Sequence, residues 1–252
     1  MVRRRVLVTG AGRGIGLELV RQYAADGYDV IATCRDPERA DELRSVRDDS
    51  AATERERSVE STHESRDRER SAVAIERLDV GSEQDLDALV TEMGDTPIDI
   101  LICNAAVFGG NRSRFADVDW SAWRVALEVN LLGSMRVALG LWRNVAESEE
   151  RKIVFISSRA GLPREARPGS SYIYGSSKAA LNSAARALAL DLVAEGVIVA
   201  ILNPGHVRTG IGGAHAPMTP TESVRLMRDR IRALTTADAG KFLHFDGSDL
   251  KL

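Results

Sequence analysis

The chain has 252 residues, of which 44% are hydrophobic and 28% charged, and its formal net charge is -3. This length suits one α/β domain with a sizeable core, and the composition is that of an ordinary globular protein. The small negative charge argues against a nucleic-acid-binding protein, and no uninterrupted apolar run reaches the roughly 18–20 residues of a membrane span.

The start of the chain and its cysteines predict a cytoplasmic protein. The basic segment Met1–Arg5 is followed by Val6-Leu7-Val8, which is too short for the core of a signal peptide. Cys34 and Cys103 are the two cysteines of the sequence. We expect both to be reduced strand-end residues without a disulfide or a metal.

Short apolar runs alternate with longer helical stretches. The runs are apolar throughout, which predicts strands that are buried on both faces. The predicted strands are Val6–Val8, Val30–Thr33, Val73–Leu78, Ile98–Cys103, Ile153–Ile156 and Val197–Leu202, and the helices are Gly14–Asp26, one capped by Ser82, Trp120–Ala146 and Tyr172–Glu195. This order predicts a single α/β domain over residues 1–252, a doubly wound parallel sheet of Rossmann type with helices on both faces.

Residues 44–72 interrupt this order. They carry many charges of both signs and almost no apolar side chains, so no face for a core is visible. Two interpretations stay open, a mobile surface insertion and an exposed charged helix. We favour a solvated segment without chemistry over an arm that docks a partner.

Three glycines between the first strand and the first helix predict a dinucleotide site. A backbone that passes close to a pyrophosphate leaves no room for a Cβ, and the free N–H groups of a helix N-terminus attract the anion. The strand before the turn and the helix after it strengthen this otherwise weak motif. We assign Gly10, Arg13, Gly14, Ile15 and Gly16 to the cofactor site.

The end of the second strand indicates which nicotinamide cofactor is used. NAD-binding folds usually place an acid there for the ribose hydroxyls, whereas a 2′-phosphate needs cations. Here Arg35 follows the strand, no acid precedes Asp36, and Arg13 stands in the glycine turn. We therefore predict NADP(H) rather than NAD(H); the alternative is that both arginines are ordinary surface residues.

Tyr174 and Lys178 are four residues apart on a predicted helix and so share one face. Carbonyl reduction needs a proton donor, and a neighbouring ammonium favours the phenolate and lowers the pKa of a tyrosine. Ser158 ends the fifth strand, at the edge where ligands bind, and can donate to a substrate oxygen. The tyrosine–lysine spacing is a weak signal alone, and the serine makes it a candidate catalytic centre.

These motifs resemble those of the short-chain dehydrogenase/reductase superfamily, which has the same Gly-x-x-x-Gly-x-Gly spacing. Further matches are Asn104-Ala105-Ala106, with an alanine in place of the usual last glycine, and the Pro204-Gly205 element. Residues 157–161, 174–182, 204–213 and 240–247 are similar to the C-factor/sniffer-like carbonyl reductases. The terminal tryptophan of that branch is absent.

The resemblance implies roles for individual residues. Ser158, Tyr174, Lys178 and Asn130 would be catalytic, with Asn130 holding a water that relays protons to Lys178. The remaining cofactor contacts would come from Asp79 and Val80 at the adenine, Asn104 and Ala105 at the adenosine ribose, Lys178 at the nicotinamide ribose, and Pro204, Gly205, Val207 and Thr209 at the carboxamide.

The implied function is NADPH-dependent reduction of an aldehyde or ketone to an alcohol. Its partners would be a small carbonyl or alcohol substrate and further copies of the chain, as a homodimer or homotetramer, with no nucleic acid and no membrane. The alternative is a cofactor-binding signalling or interaction protein of C-factor type. His206 is expected to flank the cofactor, and the histidines lack the neighbours of a metal site, so we expect no metal.

Overall fold

The strands form one parallel sheet in the computed structural model, which describes residues 3–60, 72–110, 117–167 and 171–252. They are β1 (Arg5–Thr9), β2 (Asp29–Cys34), β3 (Val73–Arg77), β4 (Ile100–Cys103), β5 (Lys152–Ile156), β6 (Ile198–Asn203) and β7 (Phe242–His244). Their order is β3-β2-β1-β4-β5-β6-β7, and every pair is parallel. The fold-class prediction is confirmed, and the order reverses between β1 and β4, where such sheets bind ligands.

Helices cover both faces of the sheet. They are α1 (Gly14–Ala25), α2 (Asp41–Glu60), α3 (Glu83–Met93), α4 (Trp120–Leu127), α5 (Ser134–Ala146), α6 (Tyr172–Leu192) and α7 (Pro220–Arg232). Successive residues of β1 serve opposite cores: Val6 and Val8 join the cluster under α1, α2 and α7, and Leu7 joins the cluster under α3, α5 and α6. This two-sided burial explains why the strands are apolar throughout.

Two elements near the end of the chain were not predicted. Helix α7 is rich in arginine, but it begins with a capping box in which Thr219 and Glu222 bond each other's backbone N–H groups, and Pro220 occupies its first turn. That start signal was readable in the sequence. Strand β7 has three residues at the sheet edge and is too short to show a pattern.

The charged segment 44–72 begins as a helix that belongs to the domain. Its residues 44–60 continue α2, which supports the interpretation as a charged helix. Leu43 and Val46 of this helix are buried against the core, so the prediction that no face packs was wrong at its start. Residues 61–71 lie outside the described residues.

The long predicted helix contains a π-helical turn, Glu128–Gly133, between α4 and α5. By length and composition, Trp120–Ala146 could cross a membrane, with a mean hydropathy of 1.3. Charged residues such as Glu128 and Arg136 divide this stretch, so it is not an uninterrupted apolar run. In the fold one face of this stretch packs on the sheet, where Val137 and Leu141 are fully buried.

The packing of Gly16 gives a test of the fold. A Cβ on Gly16 would lie 2.2 Å from the carbonyl oxygen of Gly10 and 2.7 Å from Nδ2 of Asn104. We expect Gly16→Ala to lower the free energy of unfolding by about 1–3 kcal/mol in chemical denaturation, because the backbone must shift. Gly210→Ala is the matched control, since a Cβ there meets nothing within 4 Å. Equal stability of the two variants would contradict this packing.

Candidate active site

Asn104 fastens the glycine turn to the end of β4. Its Nδ2 donates to the carbonyls of Thr9 at 2.9 Å and Gly10 at 3.2 Å, and its backbone N–H donates to Thr9 Oγ1 at 3.0 Å. Gly10 has a φ of +66°, and a Cβ there would lie 2.8 Å from Cα of Ala105. The two segments that sequence analysis assigned to the cofactor therefore meet at the switch point of the sheet.

The glycine turn also faces the loop that follows β6. Gly14 has a φ of +59°, and a Cβ on it would lie 3.3 Å from Cγ2 of Thr209. Only glycine keeps this approach open at the start of α1 while accommodating the left-handed backbone. The cradle fits a pyrophosphate, since a side chain would fill it and the N-terminus of α1 points N–H groups towards it.

Arg13 and Arg35 lie at one edge of this cradle. The turn is tied to β2 by the bond from the N–H of Ala11 to the carbonyl of Thr33, at 2.8 Å. Both arginines are exposed, and neither forms an ion pair within the described parts of the chain. Two available guanidinium groups beside the ribose position fit a 2′-phosphate.

The loop after β3 carries the residues predicted to contact the adenine. Asp79 Oδ1 accepts the N–H of Gly81 at 3.0 Å. Val80 is buried, and a Cβ on Gly133 of the π-helical turn would lie 2.5 Å from its carbonyl oxygen. The predicted adenine contacts are thus held against the long helix.

The predicted catalytic residues Ser158, Tyr174 and Lys178 come together at the carboxyl edge of β5. The hydroxyl of Ser158 lies close enough to the Tyr174 phenol to influence its pKa. Lys178 is buried, its Nζ donates to the carbonyl of Ile156 at 2.9 Å, and it lies 5.9 Å from the centre of the Tyr174 ring. Helix α6 begins just before this site, where the Ser171 hydroxyl caps the N–H of Tyr174 at 3.1 Å.

Burial sets the protonation of this centre. It raises the pKa of Tyr174 to about 12, with the Ser158 hydroxyl acting in the opposite direction. It also lowers the pKa of Lys178 to about 8. The expected lowering of the tyrosine pKa by the lysine was wrong in direction, because burial of the phenol raises that pKa, while Lys178 Nζ donates to the carbonyl of Ile156 rather than to the phenol. Tyr174 is therefore a protonated phenol at neutral pH.

The side chain of Asn130 connects the loop after β4 to helix α6, and this connection is its clamp role. Its Oδ1 accepts the N–H of Val107 at 2.8 Å, and its Nδ2 donates to the carbonyl of Val107 and to Ser177 Oγ, both at 2.9 Å. The Ser177 hydroxyl in turn donates to the carbonyl of Tyr174 at 2.9 Å. Because both amide hydrogens are used, a relay water would have to bind the remaining Oδ1 lone pair or the backbone carbonyl. Asn130 lies in the π-helical turn, a feature frequent at functional sites.

Sequence reasoning missed three residues at the centre. The ring of Phe108 lies 5.3 Å from that of Tyr174. Cys103 is buried near Lys178, and burial raises the pKa of its thiol to about 12. Phe245 reaches back to the loop after β6, where a Cβ on Gly205 would lie 2.8 Å from its ring. Phe108 was visible as an aromatic residue just after β4, whereas the other two contacts depend on the fold.

Two polar residues in the loops after β5 and β6 have local partners. A ring nitrogen of His206 lies 2.8 Å from the carbonyl of Gly212, a contact that suits a loop residue. The Arg164 side chain donates to the carbonyls of Leu250 and Lys251 and so ties the loop after Ser158 to the final segment. Among the described residues, no group of three or more His, Cys, Asp or Glu side chains could hold a metal ion.

Comparison with known proteins agrees with this geometry. The sequence profile of the short chain dehydrogenases matches residues 4–219, and the chain belongs to this family of oxidoreductases. C-signal of Myxococcus xanthus is 33% identical over 163 residues, which cover 65% of this chain and 98% of that protein. The family prediction is confirmed.

Solved structures of carbonyl reductases share the fold over the whole chain. The carbonyl reductase Sniffer of D. melanogaster has a TM-score of 0.85 at 24% identity, with both chains fully covered. The NADPH-bound carbonyl reductase from chicken fatty liver has a TM-score of 0.84 at 25% identity, also with full coverage of both chains.

The buried lysine gives a test that separates function from stability. Its pKa falls from an ordinary 10.5 to about 8, so between these values the unfolded chain holds a proton that the folded chain has lost. The free energy of unfolding of the wild type should therefore rise with pH across this window. Below the window, the charged and buried lysine lowers that free energy. We expect Lys178→Met to leave the free energy of unfolding at neutral pH unchanged or about 1–3 kcal/mol higher, to remove this pH dependence and to abolish turnover.

Lys152→Met is the matched control. Lys152 is also buried, but its Nζ is paired with Glu150 at 2.8 Å, so its loss leaves a carboxylate without that partner and should destabilise the protein. A large loss of stability in Lys178→Met would show that the lysine is structural.

Proposed function

We propose that this oxidoreductase is an NADPH-dependent carbonyl reductase that converts an aldehyde or ketone into an alcohol. The observation that carries the proposal is the cluster of Ser158, Tyr174 and the buried Lys178 at the edge of the sheet that also holds the cofactor cradle. A phenol whose pKa is raised by burial is protonated at neutral pH, which suits a proton donor in the direction of reduction.

In this proposal each side chain acts at the substrate oxygen or beside it. When bound, NADPH supplies the hydride to the carbonyl carbon. Ser158 donates a hydrogen bond to the carbonyl oxygen and holds it next to the phenol. Tyr174 donates its proton to that oxygen, and the ammonium of Lys178 favours the phenolate that remains. Asn130 holds the loop and the helix that flank the tyrosine.

The same proposal assigns the cradle to NADP(H). The glycine turn holds the pyrophosphate. Arg13 and Arg35 bind the 2′-phosphate, since neither forms an ion pair with another described residue. Asp79, Val80, Asn104 and Ala105 line the adenosine, and the segment from Pro204 to Thr209 holds the carboxamide. The NADPH-bound chicken enzyme supports this choice of cofactor.

We also propose self-association through the long helices. Large apolar side chains are exposed there: Val125 and Leu139 on α4 and α5, and Leu190 on α6. A contiguous patch of exposed apolar side chains is typical of a protein–protein interface, and we propose that these three side chains form one. The assembly would be a homodimer or homotetramer.

Removal of the phenolic hydroxyl tests the proton donor. Tyr174→Phe should reduce kcat for an aldehyde by at least about a hundredfold, since it removes the general acid. The dissociation constant for NADPH, followed by nicotinamide fluorescence, should stay within a factor of about two to three, because a hydroxyl is all that changes. Substantial residual turnover would refute the role of Tyr174.

The arginines test the choice of cofactor. Arg13→Ala together with Arg35→Ala should weaken NADPH binding by roughly a hundredfold and NADH binding only slightly, because only the former carries the extra phosphate. Arg39→Ala is the matched control, since Arg39 is exposed and lies 3.9 Å from Asp36 in an ion pair. Equal losses for NADPH and NADH in the double variant would refute the assignment.

A second candidate function is a cofactor-binding signalling or interaction protein. The identity of 33% to C-signal favours it. The full set of Ser158, Tyr174, Lys178 and Asn130 argues for the reductase, because a binding module needs no buried ammonium beside a phenol. The Tyr174→Phe variant separates the two candidates, since an interaction that does not need turnover survives it.

A further inference from the structure

We infer that Phe108 forms an aromatic wall of the substrate site and selects carbonyl compounds that carry a flat apolar group, such as an aryl ring. The inference rests on the proposed reductase function, because it concerns the group bound beside Tyr174. It adds a specificity-determining residue and a substrate class to that function.

The contact between the two rings is direct. The centres of the Phe108 and Tyr174 rings are 5.3 Å apart, and their planes are tilted by 41°. This separation lies within the range in which aromatic pairs attract each other. Phe108 is half-buried, so part of its ring is covered and part stays open. In this inference, the substituents of a substrate held by the Tyr174 hydroxyl lie beside this open part.

Phe108 is fixed in place by its two neighbours in the chain. Asn130 bonds both the N–H and the carbonyl of Val107, at 2.8 Å and 2.9 Å. On the other side, Gly109 has a φ of +79°, and a Cβ on it would lie 2.3 Å from Cγ2 of Ile173 on α6. Because the backbone is held on both sides, the ring stands as a preformed surface and binding costs little ordering.

The chemistry of this wall favours flat apolar groups. Phe108 offers no hydrogen-bond donor and no charge, so it gains nothing from a polar substituent. An aryl ring can stack or meet it edge to face, whereas a short alkyl chain covers less of its surface. The wall also keeps water from the phenol, in keeping with the burial that raises the pKa of Tyr174.

Turnover of two aldehydes tests the inference. In the NADPH-loaded protein, Phe108→Ala should lower kcat/KM for benzaldehyde roughly tenfold or more, mainly through KM, and change kcat/KM for propanal by less than about threefold. Phe108→Leu keeps an apolar side chain, so its kcat/KM for benzaldehyde should lie between those of the wild type and of Phe108→Ala. Tyr172→Ala is the control, since its ring is 48% exposed and lies two residues from Tyr174; it should not change the ratio of the two aldehydes.

A binding measurement separates this inference from the reductase itself. Benzyl alcohol and propanol are titrated calorimetrically into the NADP-loaded Tyr174→Phe variant, with and without Phe108→Ala. If the variant with Phe108 prefers benzyl alcohol and the variant without it does not, the result supports the aromatic wall. This conclusion holds even if the wild type reduces neither aldehyde, an outcome that would refute only the reductase function. An equal affinity for both alcohols with Phe108 present, or a benzyl preference that survives its removal, would overturn the inference.

Discussion

The burial of the Lys178 ammonium is the constraint on which the rest of the site depends. A buried charge is costly unless its surroundings compensate it, and here the carbonyl of Ile156 at the end of β5 accepts its hydrogen bond. Helix α6 must therefore lie close against β5. Gly161 permits this, since a Cβ on it would lie 2.7 Å from the backbone of Lys178, and Ser157 bonds Asn182 of α6 at 2.5 Å. The same docking brings the tyrosine on α6 to the serine at the end of β5.

A second set of contacts joins the start of α6 to the loop after β4. The side chain of Asn130, which the family resemblance assigns to a proton relay, is occupied by Val107 and Ser177. It therefore fixes the loop after β4 and the start of α6 relative to each other. The π-helical turn places this buried amide between the two segments. One residue thus supports both the position of Tyr174 and that of Phe108, so the proposed proton donor and the proposed aromatic wall share the same framework.

The sequence predicted the features that depend on local pattern. Strands such as Val6–Val8 are apolar throughout because both of their faces are buried. The glycine turn is recognisable because positions such as Gly16 have no room for a Cβ. Features that depend on the packed environment could not be predicted from the sequence. The pKa of Tyr174 rises because of burial, which no spacing reveals. Strand β7 has three residues, too few for a pattern, and pairs with the edge of β6. The clamp role of Asn130 was equally hidden, because its partners are distant in the chain.

The transfer of hydride to a carbonyl carbon is the central claim, and an isotope tests it most directly. The protein is incubated with benzaldehyde and with NADPH that carries deuterium at the transferable position of the nicotinamide, and the products are analysed by mass spectrometry. The account predicts benzyl alcohol with one deuterium on the former carbonyl carbon, formed by the wild type and not by Tyr174→Phe. Unlabelled alcohol, or equal labelling by both proteins, would contradict it.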